Sequence, residues 1–171
     1  MARITVIDNF LEDKHFKKIK EYFTSSLIPW YWINVDVPIN DNQKELSKNG
    51  FFNHCIYNHW QFLASYPDEL ILVTKKLNVR APLQIRANLN FRDIDSVSSK
   101  WHVDYPDIKN NKTAIYYLNN NNGKTILDEN GTYKKVDSKE NRMLIFDGDI
   151  KHKAEYQTDV HKRYLLNINY I

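Results

Sequence analysis

Apolar and polar residues alternate along the second half of the chain with the period of a β-strand. Gln84-Ile85-Arg86-Ala87-Asn88-Leu89-Asn90-Phe91 is the clearest run, and alternation at period two places one set of side chains on each face of a strand. Further segments read as extended: Lys100 to Tyr105, Thr113 to Asn119, Lys124 to Leu127, Thr132 to Val136, Arg142 to Phe146, His152 to Tyr156 and Tyr164 to Ile171. Eight strands in about ninety residues have the spacing of an all-β sandwich or barrel. Turn signals separate them. Asn130-Gly131 stands between two such runs, a strong hairpin signal. Gly148 marks a second tight turn, and Asn119 to Asn122 followed by Gly123 reads as a loop because asparagine tolerates left-handed backbone angles.

The first half reads differently. Phe16, Ile19, Phe23 and Leu27 recur at helical spacing, with lysines between them. Pro67-Asp68-Glu69 opens a second helix that buries Leu70, Val73 and Leu77; proline suits a first turn and acids suit its positive end. The pattern predicts a mainly β chain with N-terminal helices, in which eight antiparallel strands form a jelly roll and the helices pack on one sheet. It predicts a single domain over 1–171, with a helical and mixed support region over 1–80 and a jelly-roll core over 82–171.

Composition narrows the classes. A chain of 171 residues suits one core, and 42% hydrophobic residues with 13% aromatics exclude disorder over most of it. No run approaches the roughly 18 apolar residues of a membrane helix, and the first ten residues lack the apolar run of a secretory signal. Cys55 is the one cysteine, which excludes an intrachain disulfide and a cysteine-cluster metal site. Any metal must be held by His, Asp or Glu, and the expected location is a reducing cytoplasm. With 24 basic and 21 acidic residues, interspersed, the net charge of +3 neither points to nor excludes nucleic acid. The abundance of Asn and Lys, with four glycines, is what an AT-rich coding genome gives, and hints at a phage or a streamlined bacterium; the location would then be the host cytoplasm.

The chemistry concentrates in three places. In Trp101-His102-Val103-Asp104-Tyr105 the i, i+2 spacing puts His102 and Asp104 on one strand face. His152 follows a buried strand and the turn at Gly148. Arg163 opens the last apolar strand, where a buried guanidinium is costly unless it meets an anion. Two histidines and one carboxylate form the facial triad that holds non-haem Fe(II) and leaves coordination positions open, and arginine's planar fork suits a carboxylate bound at two points.

The ordered set WHVDYP (101–106), TAIYYLN (113–119), NNGKTILDENG (121–131), RMLIFDGDIKH (142–152) and RYLLNINY (163–170) resembles the Fe(II)/2-oxoglutarate-dependent oxygenase superfamily. Within it the likeness is to prolyl-hydroxylase-type members and small phage-encoded oxygenases, over roughly half the chain. The resemblance implies a double-stranded β-helix, cupin-like, and a dioxygenase that couples hydroxylation of a peptidyl, first of all prolyl, substrate to decarboxylation of 2-oxoglutarate to succinate. It makes His102, Asp104 and His152 the iron ligands and gives Arg163 the distal carboxylate of 2-oxoglutarate. Tyr117 matches a tyrosine that hydrogen-bonds the same carboxylate, Thr125 falls among pocket-lining positions, and Asn90 replaces a tyrosine that faces the co-substrate. Fe(II), 2-oxoglutarate and O2 are the implied cofactors, with ascorbate as an optional reductant. The chain departs from many relatives at Asn122-Gly123, where they have Gly-Gly, and at Leu165, where they have serine. The alternatives are a cupin-like binding module without redox chemistry, or an oxygenase of nucleobases or small molecules.

Other residues have plainer readings. Tyr117 also fits a core aromatic; His54 and His59, five apart, read as structural; His15 and His161 read as solvated. Trp30, Tyr31 and Trp32 fit core or helix packing better than a substrate groove, and Arg86 and Arg92 fit either an anionic substrate or the surface.

Overall fold

The computed structural model describes residues 3–34, 50–92 and 98–171. The elements run β1 (Ile4–Ile7), α1 (Asp13–Thr24), β2 (Tyr31–Asn34), β3 (Gly50–Asn58), β4 (Gln61–Phe62) and α2 (Glu69–Lys76). They continue with β5 (Pro82–Phe91), β6 (Lys112–Tyr117), β7 (Lys124–Glu129), β8 (Thr132–Asp137), β9 (Arg142–Asp147), β10 (Lys151–Glu155) and β11 (Lys162–Tyr170). An eight-stranded sheet has the order β1-β9-β6-β11-β5-β3-β2, with β4 on β3, and a three-stranded sheet has the order β10-β7-β8. All the strand pairs are antiparallel, the arrangement of a jelly roll. No helix among the described residues is long and apolar enough to cross a membrane.

Two cores result. Helices α1 and α2 cover one face of the large sheet: Phe16, Ile19, Phe23, Leu70, Val73 and Leu77 pack with Ile85, Ala87, Tyr116, Leu166 and Ile168. On the other face Ile115, Tyr117, Leu144, Phe146 and Leu165 meet Leu127 and Val136 of the small sheet. The β7–β8 hairpin turns at Asn130 and Gly131, both at positive φ, as the Asn-Gly pair requires.

Two expectations change. Leu27 is 89% exposed: the Ser25 amide and hydroxyl both donate to the Tyr22 carbonyl and close α1 before Leu27 can join its apolar stripe. Lys100 to Tyr105 is not a strand. It meets β10 at one isolated pair, His102 with His152, with a second just before it at Ser98 and Glu155, and the chain bends at Asp104 ahead of Pro106. Residues before 80, read as helical and mixed, supply four strands to the large sheet, β3 pairing with β5 from Phe52 to Asn58.

Candidate metal centre

The backbone first brings the histidines together. His102 N donates to the His152 carbonyl at 3.1 Å and His152 N to the His102 carbonyl at 2.9 Å. Their rings lie 4.4 Å apart between centroids. The bend at Asp104 turns its carboxylate into the same space, so that Oδ1 is 3.5 Å from His102 Nε2 and 3.8 Å from His152 Nε2. One ligand atom from each residue lies within 4.8 Å of the others, the one such cluster among the described residues.

Each ligand is aimed by its remaining polar atom. His102 Nδ1 is 3.0 Å from the Lys100 carbonyl and His152 Nδ1 is 3.3 Å from the Ile150 carbonyl. A carbonyl only accepts, so in the neutral rings Nδ1 carries the proton and both Nε2 lone pairs face the centre, whereas protonated His102 donates from Nε2 to Asp104. Asp104 Oδ2 accepts from Asn169 Nδ2 at 2.8 Å and from Asn167 Nδ2 at 3.4 Å, leaving Oδ1 inward. This donor set, two imidazoles and one carboxylate on one side, fits a divalent ion and leaves its other side open.

Burial shapes the electrostatics. Burial alone raises the Asp104 pKa. The His102 hydrogen bond and the His152, Arg86 and Asn169 neighbours overcome it and hold the carboxyl below its ordinary range. Burial pushes His152 down to about 4. His102, its side chain nearly half exposed, is raised by its hydrogen bond to Asp104.

A cavity of about 440 Å³ opens beside the triad. Arg163, Thr125 and Asn90 border it, as do Arg86, Asn88 and Asn167. Arg163 is fully buried, and its Nη1 donates to the Glu155 carbonyl at 3.1 Å. Its Nε and Nη2 have no hydrogen-bond partner, and burial lowers its pKa. Gly123 packs over it: a Cβ there would lie 3.0 Å from Nη1. Tyr117 is fully buried and outside the cavity lining; its hydroxyl donates to Thr125 Oγ1 at 2.7 Å. Thr125 keeps its own proton for the cavity. Asn90 pairs in register with Arg163 across β5 and β11.

The remaining singled-out residues separate. His54 is buried, with Nδ1 2.9 Å from the Pro29 carbonyl, while His59 and His161 are exposed. His15 is half-buried beside Glu69. Trp30 packs on the helix-side core, whereas Tyr31 and Trp32 are exposed. Arg86 borders the cavity and Arg92 is exposed. Asn167 and Asn169 were not read from the sequence as site residues. The available signal was two polar residues on the Arg163 face of an otherwise apolar strand.

No family model matches the sequence, and no curated protein matches it. Solved structures do. A 2-oxoglutarate/Fe(II) oxygenase-family oxidoreductase from Burkholderia pseudomallei aligns with a TM-score of 0.72 at 9% identity, over 98% of this chain and 85% of that one. The Trichoplax adhaerens prolyl hydroxylase, in complex with a hypoxia-inducible-factor peptide fragment, aligns at 0.70 and 14% identity over 99% and 83%. HygX from Streptomyces hygroscopicus, with nickel and 2-oxoglutarate bound, aligns at 0.65 and 8% identity over 99% and 82%. The chain has the jelly-roll fold of these oxygenases.

Proposed function

We propose that the protein is an Fe(II)- and 2-oxoglutarate-dependent dioxygenase that hydroxylates a peptidyl, first of all prolyl, substrate. One observation carries this reading: a two-histidine, one-carboxylate cluster shares a cavity with a fully buried arginine whose Nε and Nη2 are unpaired. A binding module has no use for that buried charge, whereas a dicarboxylate that must reach a metal does. The likeness to the Trichoplax adhaerens prolyl hydroxylase, solved with a peptide, is what favours a peptide in this reading.

His102, Asp104 and His152 would hold the ion facially. Bound Fe(II) supplies oxygen activation, driven by decarboxylation of 2-oxoglutarate to succinate. The two backbone carbonyls fix the Nδ1–H tautomer and the orientation of the histidines, burial keeps His152 neutral, and Asn169 with Asn167 keeps Asp104 ionised and turned inward. Arg163 would take the distal carboxylate through its two unpaired nitrogens. Thr125 would add a hydroxyl donor, and Tyr117 acts through Thr125 as a positioning residue. Asn90 flanks the same pocket. Gly123 backs Arg163, because the missing Cβ lets its loop approach Nη1 and the Gln157 amide. In this reading residues 1–171 act as one domain in a reducing cytoplasm, since strands from both halves share one sheet.

The test is anaerobic titration of 2-oxoglutarate into the Fe(II)-loaded protein, followed by aerobic succinate assay with a peptide panel. A weak visible charge-transfer band and peptide-stimulated succinate are expected. Iron binding without the band would leave a metal-binding module.

A further inference from the structure

The cavity extends past the metal centre to polar groups that co-substrate binding leaves unassigned. Arg86 and Asn88 on β5 face it with Asn167 on β11, and Phe51 and Ile33 border it. The register places Arg86 directly across from Asn167, and Asn90 directly across from Arg163. The two arginines are therefore separated by four residues along one strand-pair face, about 13 Å of strand. The guanidinium carbon of Arg86 lies 5.8 Å from the centre of the Phe51 ring. Phe51 belongs to β3, which flanks β5 on the side away from β11, so the Arg86 guanidinium lies on the β3 side of β5 and Arg163 on the β11 side.

Three buried atoms of this region have no hydrogen-bond partner: Arg86 Nε, Asn88 Oδ1 and Asn167 Oδ1. Buried polar atoms are rarely left so, and here one donor and two acceptors point to the chemistry of what they would meet. The donor is cationic and asks for an anion. The two amide oxygens ask for N–H groups. Those N–H groups are better neutral than charged, because Arg86, Arg163, Lys100 and Lys153 border the cavity against the single carboxylate of Asp104. An ammonium would add to that excess of positive charge, whereas a peptide N–H would not. Phe51 and Ile33 offer apolar surface to the stem of the group that carries the anion.

We propose that Arg86, Asn88 and Asn167 are the specificity-determining subsite for the substrate to be oxidised, and that this substrate is an acidic peptide. A side-chain carboxylate next to the modified residue pairs with Arg86, and backbone N–H groups donate to Asn88 and Asn167. The inference rests on the oxygenase reading above and adds the substrate's charge to it.

The test uses anaerobic Fe(II) protein saturated with 2-oxoglutarate and a set of capped short peptides, in which proline is preceded or followed by Glu, by Gln, or by neither. Binding is read by calorimetry. At least one Glu peptide should bind about tenfold or more tightly than its Gln counterpart, the ratio expected of one charge-assisted pair. Arg86→Gln should bring that ratio to about one while the variant still binds metal and 2-oxoglutarate, which also shows that it is folded. Arg86→Lys should keep part of the preference. Equal binding of Glu and Gln peptides in wild type overturns the proposal, as does an Arg86→Gln variant that loses 2-oxoglutarate affinity instead. Free glutamate binding as tightly as the best peptide would make the ligand a small acid and overturn the peptide assignment. If wild type fails to bind Fe(II) and 2-oxoglutarate at the outset, the oxygenase reading itself fails, and the two failures are told apart at that step.

Discussion

The two faces of the β5–β11 strand pair carry opposite instructions. Toward the helices stand Ile85, Ala87, Leu166, Ile168 and Tyr170, all buried in one apolar cluster. Toward the small sheet stand Arg86, Asn88 and Asn90 opposite Asn167, Leu165 and Arg163, with Asn169 beyond them. Among the described residues, eleven buried side-chain polar atoms lack a hydrogen-bond partner, and six of them belong to Arg86, Asn88, Arg163, Asn167 and Asn169 on this second face. A face that served stability alone would not accumulate them, because each unsatisfied buried group costs about 1–3 kcal/mol. One face stabilises the sheet, and the other holds binding groups in place at the expense of stability.

Exchanging a residue on each face should separate the two roles. His152→Ala, at the edge of the polar space, is expected to abolish metal binding by more than about 100-fold, since even outer partners of metal ligands are worth 10–100-fold. Its denaturant midpoint in the metal-free state should move far less than this loss of metal binding, by no more than the packing of one buried ring against Phe146. Leu166→Ala on the helix side should do the reverse, lowering stability by about 2–5 kcal/mol while the folded fraction keeps wild-type metal affinity. Calorimetry and urea titration of both variants check the pair, and a shared phenotype would erase the distinction.

Arg163→Met should lower 2-oxoglutarate affinity by tens- to thousands-fold, the loss of about 2–5 kcal/mol for a buried charge partner, and leave metal affinity unchanged. The metal-free protein should become no less stable, because an unmatched buried charge is replaced by an apolar side chain. Arg163→Lys keeps the charge but not the fork and should be intermediate in 2-oxoglutarate affinity. A large drop in the melting temperature of Arg163→Met would assign the arginine to the stabilising face instead.

The smallest expected effect is one of pH. His152 is held at about 4 in the folded chain against 6.5 unfolded, so the unfolded state binds the extra proton between those values. Its neutral burial stabilises the metal-free protein fully above pH 6.5, and that contribution, up to about 3 kcal/mol, is lost as the pH falls toward 4. His102 is shifted upward by Asp104 and works in the opposite sense: its stabilisation is present below 6.5 and fades as the pH rises through its folded value. Urea midpoints of the metal-free protein across pH 4–8 should fall on the acid side, and His152→Leu should flatten that fall.

How much of this was legible in sequence depended on whether the pattern was local. The alternation of Gln84 to Phe91 gives two faces but not which one meets helices, because both are largely covered. Arg163 was legible because a cation opening an apolar strand is anomalous by itself. Asn167 and Asn169 were not, because asparagine in a strand acquires meaning only when the bend at Asp104 brings a carboxylate to it. The strand character of Gly50 to Asn58 was hidden for a similar reason. Buried on one side and half-buried on the other, it shows no clean period. Leu27 misled because helical spacing continues past the point where Ser25 ends the helix.

The reciprocal pair of backbone hydrogen bonds between His102 and His152 has a kinetic consequence. Two of the three ligands ride on a segment joined to β10 by isolated pairs and not by a continuous ladder. Such a segment opens locally without global unfolding, and when it opens it carries His102 and Asp104 away from His152 together. Escape of a bound ion is therefore gated by the lifetime of that closure, and a seated ion lengthens the lifetime in turn by cross-linking the segment to the strand. Hydrogen exchange at the His102 and His152 amides should slow when metal is added, and the metal-release rate should follow the opening rate of this one segment.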